Sequence, residues 1–120
     1  MKAAQRPLLA WLGDIRNSAA LIIRYTAGSG WPEFERNEPV SNLVIKHFEN
    51  MGEAARYIER LNPVFYALGD LPWRQMRDMR NRLAHGYFAI DLELVWNAAR
   101  KDVPDLLSRT VALMERVGSA

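Results

Sequence analysis

Residues 80–88, RNRLAHGYF, bring together side chains that can bind phosphate and transfer protons. Arg80 offers a rigid fork of donors that matches phosphate oxygens and stays charged. Asn81 adds a neutral donor, and His85 can give or take a proton near neutral pH. Together these groups suffice for metal-free RNA cleavage, in which a ribose 2′-hydroxyl attacks the neighbouring phosphate and cations hold the charge that builds on its oxygens.

The stretch belongs to a longer helical pattern, WRQMRDMRNRLAH, which follows Pro72. At about 100° per residue, one face of this helix is polar and spans about 140° from Arg80. The polar face comprises Arg80, Arg77, Asn81, Arg74 and His85. The opposite face is apolar and is predicted to pack into the core, through Met76, Met79 and Leu83.

The spacing of the two central residues raises a geometric difficulty. Arg80 and His85 are five residues apart, so an unbroken helix would separate them by about 140° around its axis. Gly86 would let the last turn unwind. Cleavage also requires both an acid and a base, whereas this face carries one histidine. A dimer that brings two copies of the face together would supply both.

A simpler explanation of the same pattern is a solvated helix end. Exposed arginines are usually solvated, and cations in a last turn complement the helix dipole. The other histidine, His47, precedes Phe48 on another helix and is predicted to lie on the surface or to pack. Glu49, Glu53 and Glu59 lack the partner histidines that a metal site needs, so neither metal nor cofactor is expected.

Composition excludes several classes of protein. The 120 residues suit a single domain spanning residues 1–120, and the net charge of +2 makes bulk attraction of nucleic acid weak. Without cysteine there are no disulfides or thiolate sites, which fits the cytoplasm. No signal peptide is predicted from the first residues, and no apolar run approaches the length needed to span a membrane.

Apolar residues recur with helical spacing in four segments. The first runs from Leu8 to Ile22, follows Pro7 and ends at GSGW, after which a loop is predicted to about Pro39. The second carries its apolar residues from Val44 to Ile58, with Ser41 as the predicted N-cap.

A packed connector is predicted over residues 61–71, ahead of the helix that carries RNRLAH. Asp91 is predicted to cap the fourth segment, and Pro104 predicts a break near residues 101–103. Four amphipathic helices of this length favour an all-α, antiparallel bundle.

The residues RNRLAHGY resemble the R-x4-H-x-Y motif of HepT-like ribonuclease toxins in the HEPN superfamily. The resemblance extends to residues 72–107, which are similar to the family's C-terminal half, and to FENMGEAARYI at 48–58. It implies a four- or five-helix HEPN bundle that forms a homodimer, with two motifs lining one cleft. It also implies metal-independent cleavage of transfer or messenger RNA, and a toxin–antitoxin pairing with a MntA-type nucleotidyltransferase.

The resemblance also implies roles for individual residues. Arg80 would hold the scissile phosphate, Asn81 would position substrate or histidine, and His85 would be the general acid–base. Tyr87 matches the tyrosine on which the partner enzyme places AMP, which silences the toxin. From the residues alone, Tyr87 would be a packing aromatic beside Phe88.

Residues outside the motif have less defined roles. Arg77, with Arg74, could extend the positive face along an RNA strand and position substrate. Arg82 is predicted to be solvated, and Glu53 could orient an arginine across the bundle. Two alternatives remain: a non-catalytic helical partner that presents substrate to a nucleotidyltransferase, and a purely structural helical module.

Overall fold

The structure, a computed structural model, describes residues 5–85 and 90–119. Helices account for nearly all of this part of the chain, and no strand occurs in it. The helices are α1 Leu8–Thr26, α2 Trp31–Arg36, α3 Glu38–Leu61, α4 Pro63–Ala67, α5 Trp73–His85, α6 Leu92–Lys101 and α7 Val103–Ser119. The predicted all-α bundle is therefore confirmed.

Helix α3 is the central element of the bundle. It packs against α1 and α5, while α7 packs against α1 and the short α2 and α6 close the remaining side. The core consists of the apolar stripes that the helical spacing predicts. Its fully buried side chains include Leu12, Ile15, Ile22, Phe34, Val44, Ile58, Val95 and Val103.

The start of α3 differs from the prediction. Asn37, not Ser41, is the N-cap, and its side-chain oxygen accepts a hydrogen bond from the Val40 N–H at 3.3 Å. Pro39 lies in the first turn, where its missing N–H costs no hydrogen bond. Ser41 is buried inside the helix, and its hydroxyl donates to the Glu38 carbonyl at 3.1 Å.

Both predicted connections contain a short helix. In the loop after α1, α2 buries Phe34, whose ring lies 5.1 Å from that of Trp96. In the connector over residues 61–71, α4 packs its Tyr66 ring on Trp73 at 5.0 Å. Val64 is 79% exposed, so the prediction of a packed connector holds for only part of this segment.

The last two predicted segments have the expected form. Helix α5 buries Met76 and Leu83 and half-buries Met79. Asp91 caps α6 by accepting from the Leu94 N–H at 3.1 Å. The predicted break occurs at residue 102, between α6 and α7. Gly86, which was predicted to let the last turn of α5 unwind, lies outside the described residues. None of the described helices is long and apolar enough to cross a membrane.

Candidate active site

Arg80 lies where α5 packs closely against Gly52 of α3. Its side chain is 33% exposed, and its Nε lies 3.3 Å from Oε2 of Glu53 on α3. The prediction that Glu53 could orient an arginine across the bundle therefore has a matching contact. The position of Arg80 depends on how tightly the two helices pack.

Gly52 makes that close packing feasible. A Cβ atom at this position would overlap Cβ of Arg80 and would lie 2.9 Å from its Cγ and 3.2 Å from the carbonyl oxygen of Met76. These atoms belong to the base of a side chain and to the backbone, so they cannot swing aside. The absence of a side chain at residue 52 thus fixes the depth at which Arg80 sits.

Glu53 contacts two arginines at once. In addition to Arg80, it accepts from Nη2 of Arg56 at 2.6 Å. The hydrogen bond from Arg56 lowers the pKa of Glu53; burial opposes that shift, and the charges of Arg56 and Arg80 reinforce it. The carboxylate therefore stays ionised and holds both guanidinium groups in place.

Arg77, one turn before Arg80 on α5, is held by a second set of groups. Its Nη2 donates to Oε2 of Glu59 at 2.7 Å and to the hydroxyl oxygen of Tyr66 at 2.5 Å. The hydrogen bond that Arg77 donates to Tyr66 is the main cause of a raised pKa for Arg77. Helix α4 therefore helps to orient a side chain that was predicted to position substrate.

These contacts surround a small cavity, which we call the arginine pocket. Its volume is about 50 Å³, and its lining residues come from α3, α4 and α5. They are Gly52, Ala55, Arg56, Tyr66, Arg77, Arg80 and Asn81. Three of the predicted site residues, Arg77, Arg80 and Asn81, thus line one cavity.

His85 lines a different cavity. It is the last residue of α5, is exposed, and borders a space of about 310 Å³ between the end of α5 and the start of α6, together with Arg82 and Asp91. Because α5 is helical up to His85, the predicted separation of about 140° between Arg80 and His85 persists. The described part of one chain does not bring the two side chains together.

Residues 15–113 match the family described as "Ribonuclease HepT-like". The chain belongs to the HepT-like ribonuclease family. It is 37% identical to the "Putative RNase MJ1380" of Methanocaldococcus jannaschii over 103 residues, which cover 86% of this chain and 93% of that protein. It is 32% identical to the "Probable ribonuclease HepT" of Thermococcus cleftensis over 100 residues, 80% of this chain and 86% of that protein. No solved structure matches the chain significantly.

Other predicted residues of this HepT-like chain have varied positions. Arg74 has a side chain 94% exposed, with Asp78 4.0 Å away, and Arg82 is exposed as predicted. His47 is half-buried beside Ser18, whose hydroxyl lies 3.2 Å from its Nδ1, so the packing role is confirmed. Burial lowers the pKa of His47, and Lys46 adds to this effect. Tyr87 lies outside the described residues.

Sequence reasoning missed two residues that line the arginine pocket of this HepT-like chain, Arg56 and Tyr66. Both belong to other elements than the motif, and nothing in their local sequence indicates that they face it. A glycine inside a helix was the available signal: Gly52 weakens α3 locally and therefore indicates a close approach by another helix.

A metal-binding cluster is not found in the part of this HepT-like chain that the structure describes. In residues 5–85 and 90–119, no group of three or more His, Asp or Glu side chains is arranged to hold an ion. The charged groups that line the arginine pocket are the guanidinium groups of Arg56, Arg77 and Arg80.

Proposed function

We propose that this protein is a metal-independent endoribonuclease, the toxin of a HEPN/MNT-type toxin–antitoxin pair. The observation that carries the proposal is the arginine pocket, which joins the motif residues Arg80 and Asn81 to two further guanidinium groups in a member of a ribonuclease family. Such a site suits the phosphodiester backbone of transfer or messenger RNA.

In the proposed reaction, the ribose 2′-hydroxyl attacks the adjacent phosphorus. A base removes the hydroxyl proton, the bond from phosphorus to the 5′-oxygen breaks, and an acid protonates that leaving oxygen. Arg80 holds the phosphate and offsets the negative charge that grows on its oxygens. His85 serves as acid–base, while Asn81 and Arg77 position the strand. The products are a 2′,3′-cyclic phosphate and a free 5′-hydroxyl.

A homodimer would complete this site. Within one chain, Arg80 and His85 border separate cavities, and only one histidine belongs to the motif. Two chains that face each other along α5 would supply two histidines to one cleft, one as acid and one as base. This arrangement supports the proposal of a composite active site.

Tyr87 is the proposed off switch. A MntA-type nucleotidyltransferase antitoxin would transfer AMP from ATP to its hydroxyl, two residues from His85, and release pyrophosphate. The adduct adds bulk and a negative phosphate near the place where RNA phosphate must bind, so steric overlap and repulsion would both exclude substrate.

The reaction is tested with the purified protein and RNA in the presence of EDTA. We expect cleavage that leaves a 2′,3′-cyclic phosphate. His85→Ala should lower the rate by about 10²- to 10⁴-fold, the usual contribution of a general acid–base. His47→Gln, which changes the other histidine, is the control and should remain active. Full activity in His85→Ala would refute the assigned role.

The off switch is tested by co-expression with a minimal nucleotidyltransferase. We expect mass spectrometry to find an AMP adduct on Tyr87 and the modified protein to lose RNase activity, whereas Tyr87→Phe should escape both. A stable complex with the nucleotidyltransferase, without RNase activity in any state, would instead support the non-catalytic partner.

A further inference from the structure

The arginine pocket contains binding groups beyond those of the motif. Arg56 belongs to α3 and Tyr66 to α4, yet both line the same cavity as Arg77, Arg80 and Asn81. The side chains of Arg56 and Arg77 are each 48% exposed, so ligands from solvent can reach their guanidinium groups.

The donor atoms of the pocket are only partly used. Among the contacts of the described residues, ion pairs engage Nε and Nη2 of Arg56, Nη2 of Arg77 and Nε of Arg80. Nη1 of each guanidinium lies outside these pairs, and each guanidinium has five N–H donors in all. The two carboxylates therefore fix the arginines and leave donors for a further acceptor.

The charge of the cluster matches one phosphodiester. Among the described residues, the ion pairs of these three guanidinium groups are with two carboxylates, Glu53 and Glu59, which leaves one positive charge. A phosphodiester carries one negative charge, so a single backbone phosphate would neutralise the cluster.

The size of the pocket selects for phosphate over base. A cavity needs a volume of roughly 10–15 Å³ to hold one water molecule. The arginine pocket, at about 50 Å³, therefore admits a few groups of that size. A tetrahedral phosphate has this size, whereas a nucleobase is too large. Gly52 and Ala55 form part of the wall, and a larger side chain at either position would intrude on the space.

We infer that the arginine pocket binds the RNA phosphodiester held by Arg80, and that Arg56 is a second-helix residue that binds the same phosphate. The inference rests on the proposed function, since that function makes RNA the ligand. It adds to the motif a substrate-binding group on α3, Arg56. It also gives Gly52 and Ala55 a role, because their small size leaves room for the phosphate.

The test measures affinity for a short single-stranded 2′-O-methyl oligoribonucleotide, which binds as RNA does but lacks the attacking hydroxyl. We expect Arg56→Gln to weaken binding by roughly three- to tenfold, the usual net contribution of one hydrogen bond, because this half-exposed side chain is screened by solvent. The slope of log affinity against log salt should become shallower by about 0.7, the value for one phosphate contact on a single strand.

Arg60→Gln is the matched control. Arg60 lies one turn further along α3, over the ring of Tyr57, and does not line the pocket. The substitution removes the same charge, so equal losses in Arg56→Gln and Arg60→Gln would overturn the inference. Ala55→Leu fills the cavity without changing charge and should also weaken binding. A folded Ala55→Leu variant with wild-type affinity would likewise overturn it, and if that variant does not fold, the two arginine variants decide.

Cleavage of unmodified RNA separates this inference from the proposed function. Binding that depends on Arg56 but not on Arg60 supports the inference even if the wild-type protein cleaves no RNA. If the wild-type protein cleaves RNA while Arg56→Gln binds as tightly as Arg60→Gln, only the inference fails.

Discussion

The side chains around Arg80 form a network in which two carboxylates hold three guanidinium groups. Glu53 bridges Arg56 and Arg80, and Glu59 holds Arg77. Arginine side chains have many rotamers, and fixing them before ligand arrives lowers the entropy cost of binding. The carboxylates therefore orient the cations, and in the proposed RNA complex they would compete with phosphate for them.

The role of Glu53 predicts a pH-dependent stability. Because contact with arginine lowers its pKa, the ionised carboxylate stabilises the fold above its ordinary value of 4.5, and this contribution is lost as pH falls through the lowered pKa. Glu53→Gln should therefore be less stable at neutral pH, with a difference that closes in acid. The side chain is 38% exposed and screened by solvent, so the difference should stay below about 1 kcal/mol.

Thermal unfolding of the wild-type protein and Glu53→Gln across the acid range measures this difference. Glu49→Gln on the same helix, which removes a carboxylate from outside the network, is the control. A gap that stayed constant from neutral pH to below the lowered pKa would contradict the assigned ion pairs.

Sequence alone predicted part of this site. The helical projection grouped Arg77, Arg80 and Asn81, since side chains on one helix have a fixed angular spacing. It could not place Arg56 and Tyr66, because contacts between helices depend on the depth and angle of packing. The motif therefore predicted the pocket residues on α5, whereas Arg56 and Tyr66 reach the pocket through the packing of α3 and α4.

At the level of elements, the contact between α3 and α5 depends on Gly52. Gly52→Ala should lower the free energy of unfolding by about 1–3 kcal/mol, because the added methyl overlaps the base of Arg80 and the helices must separate. The displacement should also move Arg80 and reduce RNase activity. Chemical denaturation gives the stability change.

Gly13→Ala on α1 is the matched comparison. Its Cβ would lie 3.8 Å from Cε of Met114, an ordinary contact, so the variant should gain about 0.5–1 kcal/mol from the better helix propensity of alanine. If both substitutions stabilised the protein, the close approach at Gly52 would be disproved.

The start of α6 depends on Asp91, which also borders the cavity of His85. Asp91→Ala should cost about 1 kcal/mol, since the Leu94 N–H loses its acceptor. Asp91→Asn keeps a capping oxygen and should retain nearly all of the stability. Equal losses in the two variants, measured by denaturation, would show that charge and not capping is responsible.

Helix ends were the least predictable elements, for a local reason. Asn37 and Ser41 are both good capping residues, and only the proline at residue 39 distinguishes them, because it fits the first turn of a helix that begins at Glu38. Asp91 had no such competitor and was predicted correctly. The short helices α2 and α4 carry too few residues to produce a periodic pattern.

At the level of the whole molecule, the two main site residues proposed on α5, Arg80 and His85, line different cavities. Arg80 faces the pocket between α3 and α4, whereas His85 borders the cavity beside α6. In the proposed mechanism, a single chain would therefore bind phosphate in one place and transfer protons in another. The proposed homodimer would join the two groups in one cleft, and it predicts a specific result in mixed dimers.

Mixing wild-type protein with His85→Ala tests the shared site. If each cleavage needs the histidines of both chains, only dimers of two wild-type chains are active. After complete exchange of an equimolar mixture, half of the wild-type chains sit in mixed dimers, so activity per wild-type chain should fall to about half for a twofold dimer. The control is a mixture of wild-type protein with Arg74→Gln, which changes an exposed arginine outside the arginine pocket. Activity per wild-type chain should fall less in this mixture than in the mixture with His85→Ala. Unchanged activity per wild-type chain, with exchange verified by native mass spectrometry, would mean that one histidine suffices for each site.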